Sequence, residues 1–182
     1  MKINKLYPDI FEIEDFVTPD QQEMVLSYCN DLEESEWWNE ELSGHFFYGK
    51  QKLGQLPRVF NEIENKVITL FTKPLQVTSL ALHRHTIGHA MGTHQDDYVK
   101  STENYIRFGI VIYYNDDYAG GELEYPDLGI IHKPKARSLV LHGGEILHGT
   151  MPVTSDNYRY FSTSFVRAND EQPVVLNQKF FG

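Results

Sequence analysis

Apolar residues along this chain repeat with one period before Pro74 and another after it. From Arg58 to Thr72 the positions Val59, Phe60, Ile63, Val67, Leu70 and Phe71 recur at helical spacing, and Lys73-Pro74 ends the run. This predicts an amphipathic helix. An earlier helix is predicted to start at Thr18-Pro19-Asp20-Gln21 and to run to about Glu34. Thr18 serves there as N-cap, Pro19 takes the first helical position and Gln21 completes a capping box. Between the helices, the aromatic, glycine-bearing stretch from Trp37 to Gly49 has no assignment, although Phe46, Phe47 and Tyr48 suggest a strand.

After Pro74 the pattern changes to short β-type runs separated by turn residues: Leu75 to His85, Gly92 to Asp96, Tyr105 to Asn115, Glu122 to Tyr125, Ile130 to His132, Ser138 to Leu141, Ile146 to Val153 and Arg159 to Val166. Short strands at this spacing suggest a sandwich or jelly roll, a mostly-β fold with N-terminal helices. The two helices are expected to cover the outer face of one sheet. With no internal repeat and no linker, residues 1–182 read as one domain, with helical support over about 18–73 and the jelly-roll core over about 75–167.

A length of 182 residues, 41% hydrophobic and 23% charged, supports one substantial core and an ordinary soluble protein. The first twenty residues carry acidic side chains and a proline instead of an apolar run, so no signal or membrane anchor is expected and the cytoplasm is the expected compartment. Cys29, the single cysteine, falls among Met24, Val25, Tyr28 and Leu32 at helical spacing and reads as a small core residue. A formal charge of −10 disfavours nucleic acid as a partner and makes a basic or neutral substrate easier to accommodate. The sequence carries no information on oligomeric state.

His94-Gln95-Asp96 places an imidazole and a carboxylate on one side of a predicted strand, two of the three ligands of a facial metal site. Alone this pattern is weak. His148 lies on a late strand, and in a jelly roll late strands return beside early ones, so it can meet that pair. Arg159 opens the next β-type run, and its planar fork, for which no acidic residue nearby in sequence is an obvious partner, suits a ligand carboxylate. His83, His85 and His89 crowd the preceding segment. His83-x-His85 could begin a cupin-type metal site, but no glutamate follows at a helpful spacing. His83 and His89 read as hydrogen-bonded surface histidines.

At this point the sequence resembles the prolyl 4-hydroxylase-like Fe(II)/2-oxoglutarate dioxygenases, from about Leu75 to Val166. The ordered motifs are Leu82-His83-Arg84-His85-Thr86-Ile87-Gly88 with His94-Gln95-Asp96, then Tyr113-Tyr114-Asn115-Asp116 with Gly120-Gly121-Glu122-Leu123. Lys133 to His142, His148 to Val153 and Tyr158-Arg159-Tyr160 complete the order. The resemblance implies a double-stranded β-helix with His94, Asp96 and His148 as iron ligands. It implies Arg159 as anchor of the 2-oxoglutarate side-chain carboxylate, with the Tyr113 hydroxyl reaching the same group. Period-two alternation would place Gly109, Val111 and Tyr113 on one face, and Thr163 shares a face with Arg159.

Three positions depart from the pattern. His85 stands where a tyrosine is common, as a co-substrate donor or a further polar group near the iron. Met91 replaces an aromatic, and Arg159 replaces the lysine of collagen-type members. The implied cofactors are Fe(II), 2-oxoglutarate and O2, with ascorbate as a further candidate. The implied substrate is a prolyl residue in a peptide or protein. Free proline or another small metabolite is the alternative within the same chemistry, and a non-catalytic metal-binding jelly-roll module the alternative outside it. A nucleic-acid demethylase is disfavoured by the charge and by Phe165, where that family's second arginine is expected, with Arg167 two positions on. Asp97 to Tyr105 is a candidate substrate-closing loop.

Overall fold

The computed structural model describes residues 1–40, 45–49, 56–72, 76–96, 104–169 and 174–181. Two strands come first, β1 (Lys2–Tyr7) and β2 (Ile10–Glu14), followed by helix α1 (Pro19–Asp31). Thr18 caps α1 as its sequence predicts: Gln21 N donates to Thr18 Oγ1 at 3.2 Å, and Thr18 N donates to Gln21 Oε1 at 3.1 Å. Strands β3 (Trp38–Glu40) and β4 (His45–Gly49) form a hairpin, so the Phe46–Tyr48 segment is a strand. Helix α2 (Leu56–Thr69) is followed by β5 (Phe71–Thr72). The helix therefore ends before the last residues of the predicted run, because Leu70 N turns back to Val67 O and Phe71-Thr72 pairs with a C-terminal strand.

The β-rich half contains β6 (Gln76–Val77), β7 (Ala81–His85), β8 (Met91–His94), β9 (Tyr105–Tyr113), β10 (Leu123–Tyr125), β11 (Ile130–His132), β12 (Leu139–Gly143), β13 (His148–Thr150) and β14 (Arg159–Ala168). Strand β15 (Val175–Leu176), paired with β5, and helix α3 (Gln178–Phe181) close the chain. The major sheet runs β1-β2-β12-β9-β14-β7-β4-β3, with β6 also on β14, and the minor sheet runs β11-β10-β13-β8. Every predicted run after Pro74 thus contains a strand, and the two sheets are those of a double-stranded β-helix. The strands at residues 2–14 extend the major sheet on its β12 side and lie outside the elements the hydrophobic pattern predicts.

Side-chain alternation divides the major sheet into two faces. Phe108, Ile110, Ile112 and Tyr114, with Leu139, Leu141 and Tyr160, pack against Val25 and Cys29 of α1 and Val59, Phe60, Ile63 and Val67 of α2. Full burial of apolar side chains of this size contributes roughly 1.5–3 kcal/mol each, which is why both helices dock here. The opposite face packs Ile10, Tyr113, Val140 and Phe161 against Leu123 and Tyr125 of the minor sheet. The site lies in this space between the sheets. Among the described residues no helix is long and apolar enough to cross a membrane.

Candidate metal and carboxylate site

His94 and His148 pair directly across β8 and β13, and their rings lie 4.5 Å apart. Asp96 comes from a different direction. Its N–H donates to Gly144 O at 3.0 Å, just past the end of β12, so the chain crosses from the minor to the major sheet between His94 and Asp96. The strand expected to reach Asp96 stops at His94 for this reason. The outcome places one ligand atom from each of His94, Asp96 and His148 within 4.8 Å of the others.

The hydrogen bonds around the two imidazoles decide which nitrogen faces the cluster. His94 Nδ1 lies 2.9 Å from Gly92 O, and His148 Nδ1 lies 2.8 Å from Ile146 O. A carbonyl oxygen only accepts, so each Nδ1 carries the proton and each Nε2 presents a lone pair. Burial, helped by the neighbouring His142, pushes His148 down to about 4, so it stays neutral and ready to ligate at neutral pH. Burial opposes ionisation of Asp96, but His142, His148 and His94 outweigh it and hold this carboxyl below its usual range. Asp96 Oδ2 is buried with no hydrogen-bond partner among the described residues. Two imidazole lone pairs and a buried carboxylate form a donor set that fits Fe(II) and leaves positions open.

The three residues share a cavity of about 150 Å³ with Arg159, His85, His83, Thr163 and Phe161. Arg159 is fully buried. It donates from Nη2 to the Tyr113 hydroxyl at 3.2 Å and from Nη1 to His85 Nδ1 at 3.3 Å, and its guanidinium lies 4.1 Å over the Phe161 ring. Because a guanidinium only donates, His85 Nδ1 is the acceptor and its proton sits on Nε2. Burial pushes the Tyr113 phenol above its usual range, so it stays protonated. Among the described residues no carboxylate pairs with Arg159, and its Nε finds no hydrogen-bond partner. A buried cation in this state calls for an anion.

The Gly120-Gly121 turn makes room for this arginine. Both glycines have positive φ, +71° and +67°, and a Cβ on Gly121 would meet Arg159 Cδ at 3.0 Å and the Tyr118 ring at 3.1 Å. His83 corrects the sequence reading. It is buried instead of being a surface histidine, because β7 turns it onto the inner face, where it stacks on Phe161 and meets Thr163 Oγ1 at 2.8 Å. His89 is half-buried and accepts from Thr86 N at 3.2 Å. Most of the candidate loop from Asp97 to Tyr105, residues 97–103, lies outside the described residues. Sequence reasoning missed His142 and Phe161, which alternation along β12 and β14 turns inward beside Val140 and Arg159.

No protein-family model matches the sequence, and no curated protein does. Solved structures do match. A viral collagen prolyl hydroxylase from Paramecium Bursaria Chlorella virus-1, solved as its 2OG complex, is 17% identical, with 87% of this chain and 96% of that one covered at a TM-score of 0.60. A Trichoplax adhaerens prolyl hydroxylase, solved with a peptide fragment of the hypoxia inducible factor oxygen degradation domain, is 15% identical over 87% and 83% of the two chains, with a TM-score of 0.67. The chain folds as those prolyl hydroxylases do. A Pseudomonas putida prolyl-4-hydroxylase gives the same answer, with 18% identity over 88% of this chain and 93% of that one and a TM-score of 0.58. On this prolyl hydroxylase fold, His94, Asp96, His148 and Arg159 all face the space between the two sheets.

Proposed function

We propose that the chain is a dioxygenase dependent on Fe(II) and 2-oxoglutarate that hydroxylates a C–H bond, with a prolyl residue of a peptide or protein as substrate. The observation that carries this reading is one cavity holding both halves of the cofactor chemistry. A His-Asp-His cluster and a fully buried arginine without an anionic partner among the described residues line it together. A binding module has no use for that combination, which leaves open metal positions beside a carboxylate anchor.

When bound, Fe(II) with 2-oxoglutarate and O2 supplies the oxidation, converting 2-oxoglutarate to succinate and carbon dioxide as the substrate gains a hydroxyl. The chain supplies binding and order. His94 and His148 present Nε2 to the metal because backbone carbonyls hold their Nδ1 protons, which fixes tautomer and ring orientation together. Asp96 supplies the negative charge. Arg159 takes the distal carboxylate of 2-oxoglutarate through its fork, and the protonated Tyr113 hydroxyl adds a donor to the same group. His85 orients Arg159 from the side where a tyrosine is common in the family, while Thr163 and His83 close the wall beside it. Val111, Leu123 and Phe161 keep the cavity apolar, which limits water around the reacting groups.

The prolyl substrate rests on the shared fold and on the relative solved with a peptide fragment. Mass spectrometry of proline-containing peptides and of free proline, each incubated with Fe(II), 2-oxoglutarate and O2, tests it. A gain of one oxygen on a peptide, matched by succinate and abolished by Asp96→Ala, is expected. Oxygen on free proline alone would move the reading to a small-metabolite oxygenase. The absence of both hydroxylation and succinate would contradict the oxygenase reading itself.

A further inference from the structure

We propose that His142 is a positioning residue for the metal centre: it holds one carboxylate oxygen of Asp96, so that the other is turned toward His94 and His148. This inference rests on the metal reading above. His142 sits on β12 behind Leu139, Val140 and Leu141 and is 2% exposed. A buried imidazole in so apolar a strand is costly unless its nitrogens are engaged.

Both nitrogens face defined groups. The Tyr125 hydroxyl lies 3.5 Å from His142 Nδ1, and Asp96 Oδ2 lies 3.7 Å from His142 Nε2. An ionised carboxylate oxygen only accepts, so the imidazole hydrogen sits on Nε2, facing Asp96 Oδ2, and Nδ1 is left to accept from the Tyr125 hydroxyl. The gap to Oδ2 exceeds a hydrogen bond by a few tenths of an ångström, within reach of a small side-chain rotation. Asp96 Oδ1, in contrast, faces His94 Nε2 at 3.9 Å. The two oxygens of one carboxylate are thereby given different partners. His142 also lies against the second imidazole, with ring centroids 4.0 Å from His148. Gly109 makes the arrangement possible, since a Cβ there would stand 2.5 Å from His142 Nε2 and 2.7 Å from Asp96 Oδ2.

The test uses Co(II) as a redox-stable probe of the metal-free full chain, comparing wild type, His142→Phe and His142→Gln. Affinity, the visible ligand-field spectrum and the melting temperature of each metal-free protein are read. Phenylalanine keeps the bulk and removes the donor, and glutamine can return an N–H to the position of Nε2. His142→Phe is expected to bind Co(II) about 10- to 100-fold more weakly with an altered spectrum, the usual size of such outer-shell effects. His142→Gln is expected to recover most of the affinity. Wild-type affinity in His142→Phe, or equal losses in both variants, would overturn the proposal. If His142→Phe fails to fold, His142→Gln decides alone, and a tenfold or greater loss in it counts against the proposal. A wild-type chain that binds no Co(II) would instead overturn the metal reading on which it rests.

Discussion

Gly109 and Asp96 meet where a side chain on the first would displace the second: a Cβ on Gly109 would lie 2.7 Å from Asp96 Oδ2. The residue is glycine because β9 and the Asp96 carboxylate approach too closely for anything larger. Gly109→Ala is therefore expected to keep the fold, since overpacking costs roughly 1–3 kcal/mol. Metal affinity is expected to fall by about tenfold or more, the equivalent of about 1.4 kcal/mol. Circular dichroism and Co(II) titration check the two halves separately.

Arg159 should matter to one ligand and hardly to the other. A hydrogen bond to a charged group contributes roughly 1.5–3 kcal/mol, so Arg159→Ala is expected to weaken 2-oxoglutarate binding by about 10- to 100-fold or more. Metal affinity should stay close to wild type, because Arg159 touches Tyr113, His85 and Phe161 and none of the three metal-facing residues in the contacts above. Calorimetric titration of each ligand is the check. Equal losses would contradict the assigned role.

Cys29 should behave as an apolar core atom. Burial pushes its thiol up to about 12, and the side chain is 2% exposed under α1. At pH 8 the thiolate is scarce in the folded protein, and raising the pH toward 12 increases it. A maleimide or disulfide reagent at pH 8 is expected to label the native chain only as fast as it opens, and to label the denatured chain stoichiometrically. Rapid native labelling would show that α1 does not seal this face.

Most of this architecture was legible because one face of each element is buried and periodicity records that face. The capping box at Thr18 and Gln21 and the alternation of Phe108, Ile110 and Ile112 against Gly109, Val111 and Tyr113 are local patterns, and the structure keeps both. The edge strand β1 was missed because none of its side chains is buried, and β2 because Glu12 occupies an inward position. A carboxylate there is tolerated because His132 and the Lys135 N–H face it at 3.4 and 3.2 Å. Burial opposes its charge and those partners outweigh the penalty, holding Glu12 below the usual carboxylate range. No local pattern announces partners more than a hundred residues away. His83 and His142 were hidden in a similar way, since Thr163 and Asp96, which face them, come from distant parts of the chain. The motif residues His94, Asp96, His148 and Arg159 were legible as a set of residue types in order, while the crossing between sheets that seats Asp96 required coordinates.

The central claim is that one cavity seats Fe(II) and 2-oxoglutarate together. Anaerobic addition of both to the metal-free chain tests it most directly, by the visible charge-transfer absorption that arises when the keto acid chelates the metal. The account predicts that this band appears with wild type, is lost in Asp96→Ala, and needs far more 2-oxoglutarate in Arg159→Ala. A wild-type chain that shows no band with both ligands present would contradict it.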